Sequence, residues 1–302
     1  MKTKSMLFLV LVMAILLAGC ALQPAATQNI VEPTAVVTTM PVPTETSKPM
    51  VGLAEVPTST PAEHKALNIF AAASLTDAFG EIGMLFESDH PGVTAVFNFA
   101  GSQQLAQQIN EGAPADVFAS ANKKQMDVVI EAGGISSGTV QNFVKNRLVV
   151  IYPKDNPAGL GELQNLAKPN LKMVLAAKEV PVGQYSLDFL DKAAADSMFG
   201  KTFKEDVLKN VVSYEDNVKA VLTKVALGEA DAGIVYTSDI SGQDADKVAR
   251  IDIPDALNVI AVYPIAPLKD SQNPELSQAF IDLVLSQKGQ DILAKYNFIP
   301  VK

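Results

Sequence analysis

Two serines sit where the chain turns from an apolar run into a helical pattern. The first lies in Phe70-Ala71-Ala72-Ala73-Ser74-Leu75-Thr76-Asp77, the second in Asn98-Phe99-Ala100-Gly101-Ser102-Gln103-Gln104-Leu105. A serine at such a junction has two uses. Its oxygen can accept a hydrogen bond from a free helix N–H, which caps the helix, and Asp77, three residues after Ser74, suits a capping box. Alternatively, the free N–H groups and the positive end of the helix dipole bind an anion, and the hydroxyl adds one more donor. Two such termini in one lobe could share a single oxyanion with no lysine or arginine. Composition fits that economy: the chain of 302 residues carries a formal charge of −9 and shows no Lys/Arg cluster of the kind a nucleic-acid binder presents.

Catalytic constellations are missing. The two histidines are His64 and His90, the latter beside Pro91 in an expected turn, so no Ser-His-Asp set can be assembled. Gly101-Ser102 is not a nucleophile elbow, and no P-loop or Gly-x-Gly-x-x-Gly pattern occurs. The single cysteine excludes a disulfide framework and an all-cysteine metal site. Tyrosines at 152, 185, 214, 236, 263 and 296 have no adjacent pair in sequence, which argues against a ferric site of clustered phenolates.

That cysteine has a role of its own. Lys2 and Lys4 precede an apolar run from Met6 to Leu17, which is shorter than the roughly 20 residues of a membrane span. The run ends in Leu17-Ala18-Gly19-Cys20, which resembles a bacterial lipobox. The resemblance implies a signal peptide over residues 1–19, cleavage before Cys20, diacylation of its sulfur and anchoring to an extracytoplasmic membrane face or the cell surface. Residues 20–65 follow as a tether. Pro24, Pro33, Pro41, Pro43, Pro49, Pro57 and Pro61 alternate with threonines, and neither helical nor strand periodicity persists, so little apolar surface is available to offset ordering.

From Ala66 onward strands and helices alternate, and their positions present the serines. Expected strands cover Leu67–Ala72, Val93–Phe99, Asp116–Ala119, Arg147–Tyr152, Leu171–Ala176, Gly233–Tyr236 and Val259–Tyr263. Helical spacing joins Leu75, Phe79, Ile82 and Phe86, then Leu105 and Ile109, then Met126, Val129 and Ile130, and recurs from about Gln184, Asn217, Pro274 and Gly289. This order implies an α/β fold with a mostly parallel sheet. Two α/β sets suggest two lobes: residues 66–147 with about 262–302, and about 148–261. The default binding site is then the cleft where strands end, with hinges near 146–149 and 258–263.

Four segments in order carry a family resemblance: Ala71-Ala72-Ala73-Ser74-Leu75-Thr76; Ser102 followed by Leu105-Ala106-Gln107-Gln108-Ile109; Glu111-Gly112-Ala113-Pro114-Ala115-Asp116-Val117-Phe118; and Gly233-Ile234-Val235-Tyr236-Thr237-Ser238-Asp239. Together they are similar to the periplasmic molybdate-binding proteins of ABC transporters, of type II periplasmic-binding-protein fold. The resemblance implies a monomeric, non-enzymatic carrier that needs no cofactor, binds molybdate and tungstate, and delivers them to an ABC permease. It implies neutral donors only, with no direct protein ligand to the metal: hydroxyl and N–H of Ser74 and Ser102, the hydroxyl of Tyr236, and backbone N–H groups of Val182, where the family also carries alanine, and of Val218. Asn217 is an insertion relative to some members, which shifts the last donor toward either neighbour. A sulfate carrier of the same fold and a non-transport surface sensor are the alternatives.

Overall fold

The computed structural model describes residues 64–241 and 244–301. The expected signal peptide, Cys20 and nearly all of the expected tether lie outside the described residues. No described helix is long and apolar enough to cross a membrane.

The first α/β set comprises β1 (Lys65–Ala72), α1 (Thr76–Asp89), β2 (Val93–Ala100), α2 (Ser102–Asn110), β3 (Val117–Ala119) and α3 (Lys123–Glu131). The second begins in β4 (Gln141–Pro153) and continues through β5 (Met173–Ala176), α4 (Pro181–Ala195), α5 (Phe203–Lys209), β6 (Val211–Glu215), α6 (Val218–Ala226), β7 (Ala232–Tyr236) and β8 (Val248–Asp252). The chain then returns through β9 (Ile260–Pro267) to α7 (Pro274–Leu285), α8 (Gln287–Lys295) and β10 (Ile299–Pro300).

Strand order is β2-β1-β3-β9-β4-β7-β5-β6, with β8 and β10 also paired to β4. The pairings of β1 with β2 and β3, and of β5 with β6 and β7, are parallel. Those of β4 and the β3–β9 pair are antiparallel. The sheet is therefore mixed rather than mostly parallel. The cause is the crossing: β4 carries the chain out of the first lobe and β9 carries it back, so the two run in opposite directions.

β4 belongs to both lobes. Its residues up to Arg147 pair with β9, while Leu148 onward pair with β7 and Val149 onward with β8. At this junction two asparagines occupy the backbone. Asn146 Oδ1 accepts from Arg147 N at 3.0 Å. Asn258 Oδ1 accepts from Leu148 N and its Nδ2 donates to Leu148 O, both at 2.9 Å.

Apolar spacing becomes core as expected. Phe79, Ile82 and Phe86 of α1 are fully buried, and Phe280 of α7 meets Phe79 and Phe86 edge-on at 5.6 and 5.5 Å between ring centres. Such aromatic pairs add to the burial term. In the other lobe, an added Cβ at Gly233 would come within 2.8 Å of Val221. The glycine of the Gly-Ile-Val-Tyr segment thus lets α6 lie close on β7.

Candidate functional site

Parallel register explains why the two serines share an address. Ala72 at the end of β1 is paired with Ala100 at the end of β2, and Ala71 with Ala119 of β3. Ser74, Ser102 and Ala121 each stand two residues past these ends. They face Val182, Val218 and Tyr236 of the other lobe across one cavity. The structure therefore brings together all five residues singled out for anion binding. The remaining lining is Ala72, Ala73, Ala100, Gly101, Val180, Pro181 and Asn217. No carboxylate and no lysine or arginine is present, so tyrosine is the only titratable side chain in the wall.

Neither serine caps a helix. Ser74 lies within a single 3-10 turn, Ala73–Leu75, ahead of α1, and its Oγ meets the Tyr263 hydroxyl at 2.9 Å. Asp77 makes no capping box; its Oδ2 receives Lys219 Nζ at 2.8 Å from the opposite lobe. At α2 the N-cap is Gly101, whose N–H is taken by Gln104 Oε1 at 3.2 Å. Ser102 Oγ instead accepts from Ala121 N at 3.0 Å. With that lone pair occupied by a donor that cannot turn, the Ser102 proton is left to point elsewhere.

The second lobe contributes two more helix starts. Pro181 occupies the first turn of α4, where its missing N–H costs nothing, and its fixed φ launches the helix. Val182 follows, with an N–H that no intrahelical carbonyl can satisfy. Gly183 is required beside it, because a Cβ there would strike the carbonyl oxygens of Ala176 and Ala177. At α6, Asn217 is the N-cap and its Oδ1 accepts from Ala220 N at 3.0 Å. Asn217 thus serves the helix, and Val218 opens it. Three helix N-termini, those of α2, α4 and α6, converge on the cavity, and their dipoles make it electropositive without a cationic side chain.

Tyr236 completes the wall. It is 1% exposed, and its hydroxyl has no hydrogen-bond partner in the protein. A buried unpaired hydroxyl is costly, so this group is aimed at something the cavity takes in. Burial, reinforced by neighbouring Tyr263, Tyr185 and Asp239, pushes its pKa well above the usual phenol value, and Tyr236 stays a neutral donor. Its backbone N–H is held by Asp239 Oδ2 at 2.9 Å. Asp239 is itself fully buried, and desolvation lifts its pKa to about 6 against the pull of Lys219.

The sequence did not point to Tyr263. Its ring centre lies 5.9 Å from that of Tyr236, so the tyrosines are separate in sequence but adjacent in space. They still make a poor ferric site: burial raises both pKa values well above 10 and disfavours phenolates, and no cluster of His, Cys, Asp or Glu suited to a metal occurs among the described residues.

The enclosed space is small. About 10 Å³ is open to the centre of a water-sized sphere, near the least that holds one water. An ion of a few atoms needs little further opening, whereas a sugar or an amino acid needs the lobes to part widely. Across the cleft the lobes are joined by Lys219–Asp77, by Gln103 Nε2 donating to Asp216 O at 2.9 Å, and by Gln125 Nε2 donating to Glu179 O at 3.2 Å. Gly101 permits this approach, since a Cβ there would run into the Asp216 carbonyl oxygen.

A small electropositive cavity between two α/β lobes matches a known group of proteins. The profile described as bacterial extracellular solute-binding protein matches residues 67–299. The molybdate-binding protein ModA of Mycobacterium tuberculosis is 38% identical over 234 residues, 78% of this chain and 84% of that one. The chain belongs to this solute-binding family, in the branch that includes the ModA proteins. The ModA protein of Escherichia coli is 32% identical over 246 residues, 78% of this chain and 90% of that one. Among solved structures, the substrate-binding domain of a putative molybdenum ABC transporter from Clostridium difficile superposes with a TM-score of 0.58 at 31% identity, covering 78% of this chain and 99% of that one. The sulfate-binding protein SubI of M. tuberculosis reaches a TM-score of 0.71 at 16% identity, covering 79% of this chain and 88% of that one, which is a likeness of fold. Family members of this kind are extracytoplasmic two-lobed binders, and this chain shares their architecture.

Proposed function

We propose that the protein captures molybdate, and tungstate of nearly equal size, between its lobes and delivers it to an ABC permease. On this reading it is a monomeric carrier and not a catalyst, needs no cofactor, and is held at an extracytoplasmic membrane face by a lipid on Cys20. Ser74, Ser102 and Tyr236 give hydroxyl donors, while Val182 and Val218 give backbone N–H groups. One observation carries the assignment of ligand class: a buried cavity whose lining holds hydroxyls and helix starts but no carboxylate, and in which the Tyr236 hydroxyl has no protein partner. A fully deprotonated dianion wants such a wall. Phosphate near pH 7 keeps a proton and asks for an acceptor. Closure of the lobes would then present one shape to the permease.

Thermal unfolding with molybdate, tungstate, sulfate and phosphate in turn tests the cargo. A ligand at 100 times its Kd adds about 2.7 kcal/mol of stability. Molybdate and tungstate are expected to stabilise well beyond sulfate. Equal stabilisation by sulfate would overturn the choice of molybdate. For the anchor, a Cys20→Ser variant should lose both fatty-acid labelling and membrane association; retention of label would place the lipid elsewhere.

A further inference from the structure

We propose that Tyr263 and Asn146 bias the direction of the Ser74 hydroxyl, so that Ser74 donates to the bound anion and an oxyanion that carries a proton is disfavoured. The inference rests on the functional reading above and extends it to two residues that do not line the cavity.

The chain of bonds starts from a donor that cannot turn. Arg147 N–H donates to Asn146 Oδ1 at 3.0 Å, and Thr237 Oγ1 meets the same oxygen at 3.0 Å. A flipped amide would set NH₂ against N–H, so the Asn146 orientation is determined. Asn146 Nδ2 therefore donates, to Ser238 Oγ at 2.8 Å and toward the Tyr263 hydroxyl at 3.4 Å. Tyr263 is fully buried. If Ser74 donated to Tyr263, the phenolic proton would be left facing the Asn146 amide, donor against donor. The consistent arrangement has Tyr263 accepting from Asn146 and donating to Ser74 Oγ across 2.9 Å. The proton of Ser74 is then directed away from Tyr263, to the cavity that Ser74 lines.

Ser102 reaches the same state by a shorter route, with its Oγ taken by Ala121 N. Each serine thus has one lone pair occupied inside the protein, Ser102 by backbone and Ser74 by side chains, and its proton is free to donate to the anion. An oxyanion bearing a proton, such as hydrogen phosphate, is then accepted only at the second lone pair of a serine whose own proton has turned away from the anion, so each such contact loses a donor. Asn146 stands at the junction between lobes and also holds Ser238 and Thr237 of the second lobe, so the device is in place when the lobes are together.

The test is a double-mutant cycle on the full-length protein, with molybdate and phosphate titrated separately by calorimetry. Tyr263→Phe keeps the ring and removes the donor to Ser74. Molybdate binding should weaken roughly three- to tenfold, the worth of one neutral hydrogen bond, while the molybdate-to-phosphate preference falls by at least as much. In a Ser74→Ala background the same substitution should change neither quantity. Equal losses in both backgrounds, or an unchanged preference, would show that Tyr263 merely packs and would overturn the inference. If Tyr263→Phe does not fold, Asn146→Asp serves: its carboxylate accepts the Tyr263 proton and reverses the chain. Part of the resulting loss should vanish when Ser74 is alanine, and a loss wholly retained would refute the relay. Failure of the wild type to bind molybdate would sink the functional reading instead. The cycle would then be judged with sulfate, and if sulfate does not bind either, both proposals fall.

Discussion

Replacing Tyr236 by phenylalanine should have opposite effects on the free and the bound protein. Its hydroxyl is buried and makes no bond to the protein, so its removal breaks nothing in the unliganded chain. An unpaired buried hydroxyl carries a penalty of about 1–3 kcal/mol. That cost falls on the closed, empty state, because lobes that part admit water. Unliganded stability should therefore stay within about 0.5 kcal/mol of wild type or rise. Binding should suffer, since a hydrogen bond to a charged acceptor is worth about 1.5–3 kcal/mol, or roughly 10- to 150-fold in Kd. Calorimetric titration with molybdate reads the second quantity and urea unfolding without ligand the first. Unchanged affinity would remove Tyr236 from the site. A free variant destabilised by more than about 1 kcal/mol would mean that the hydroxyl has a protein partner after all.

Other substitutions separate the parts. Gly101→Ala places a methyl against the Asp216 carbonyl across the cleft, so molybdate should no longer contract the small-angle scattering profile, and affinity should fall at least tenfold; normal contraction would show that the lobes do not meet there. Ser102→Ala leaves Ala121 N–H without its acceptor, so both unliganded stability and affinity should drop, each by about 1–3 kcal/mol; loss of only one would contradict the double role. Asp239 titrates near 6 when folded against 3.8 as its ordinary value. Its neutral form is favoured by folding, so its contribution is complete below about pH 4 and is lost as pH rises to about 6, to a limit of about 3 kcal/mol. Wild type measured against Asp239→Asn by urea unfolding at pH 4, 5, 6 and 7 should therefore lose relative stability across that window and level off above it. A flat difference would mean that the carboxyl is not desolvated.

Parts of the site were legible because they are local. A serine two residues beyond an apolar run and one turn before helical spacing marks a strand-to-helix junction, and both Ser74 and Ser102 satisfy that pattern. Val182 and Val218 were silent as side chains, because each offers only an N–H; the usable signals were Pro181 and Asn217, which start helices. Asp77 misled because capping and a salt bridge across the cleft ask for the same residue type, and only the tertiary position of Lys219 decides. Tyr263 lies 189 residues from Ser74 along the chain, on a strand whose pattern reads as ordinary core. No local spacing could join them. Among the elements, α5, β6, β8 and the two-residue β10 escaped detection. β6 and β8 are five residues long, half polar and alternate in burial, so their apolar content is too thin for a run-based reading, though period-2 alternation was there to be seen. The long β4 was read as starting at Arg147, because its first residues, Gln141 and Asn142, look like loop.

The return of the chain through β9 bears on how the protein is made. β9 lies between β3 and β4, yet it is the last long strand to be synthesised. Until Ile260–Pro267 have emerged, the lobe that carries Ser74 and Ser102 has a gap in the middle of its sheet, with the edges of β3 and β4 unpaired. The second lobe, continuous from β4 to β8, can assemble first. A chain cut short before Ile260 would therefore hold both serines and still lack the strand that registers them, as well as Tyr263. Ribosomal or translocation pausing upstream of that point leaves an adhesive, half-built sheet, and the capacity to hold an anion arrives only with about the final seventh of the polypeptide.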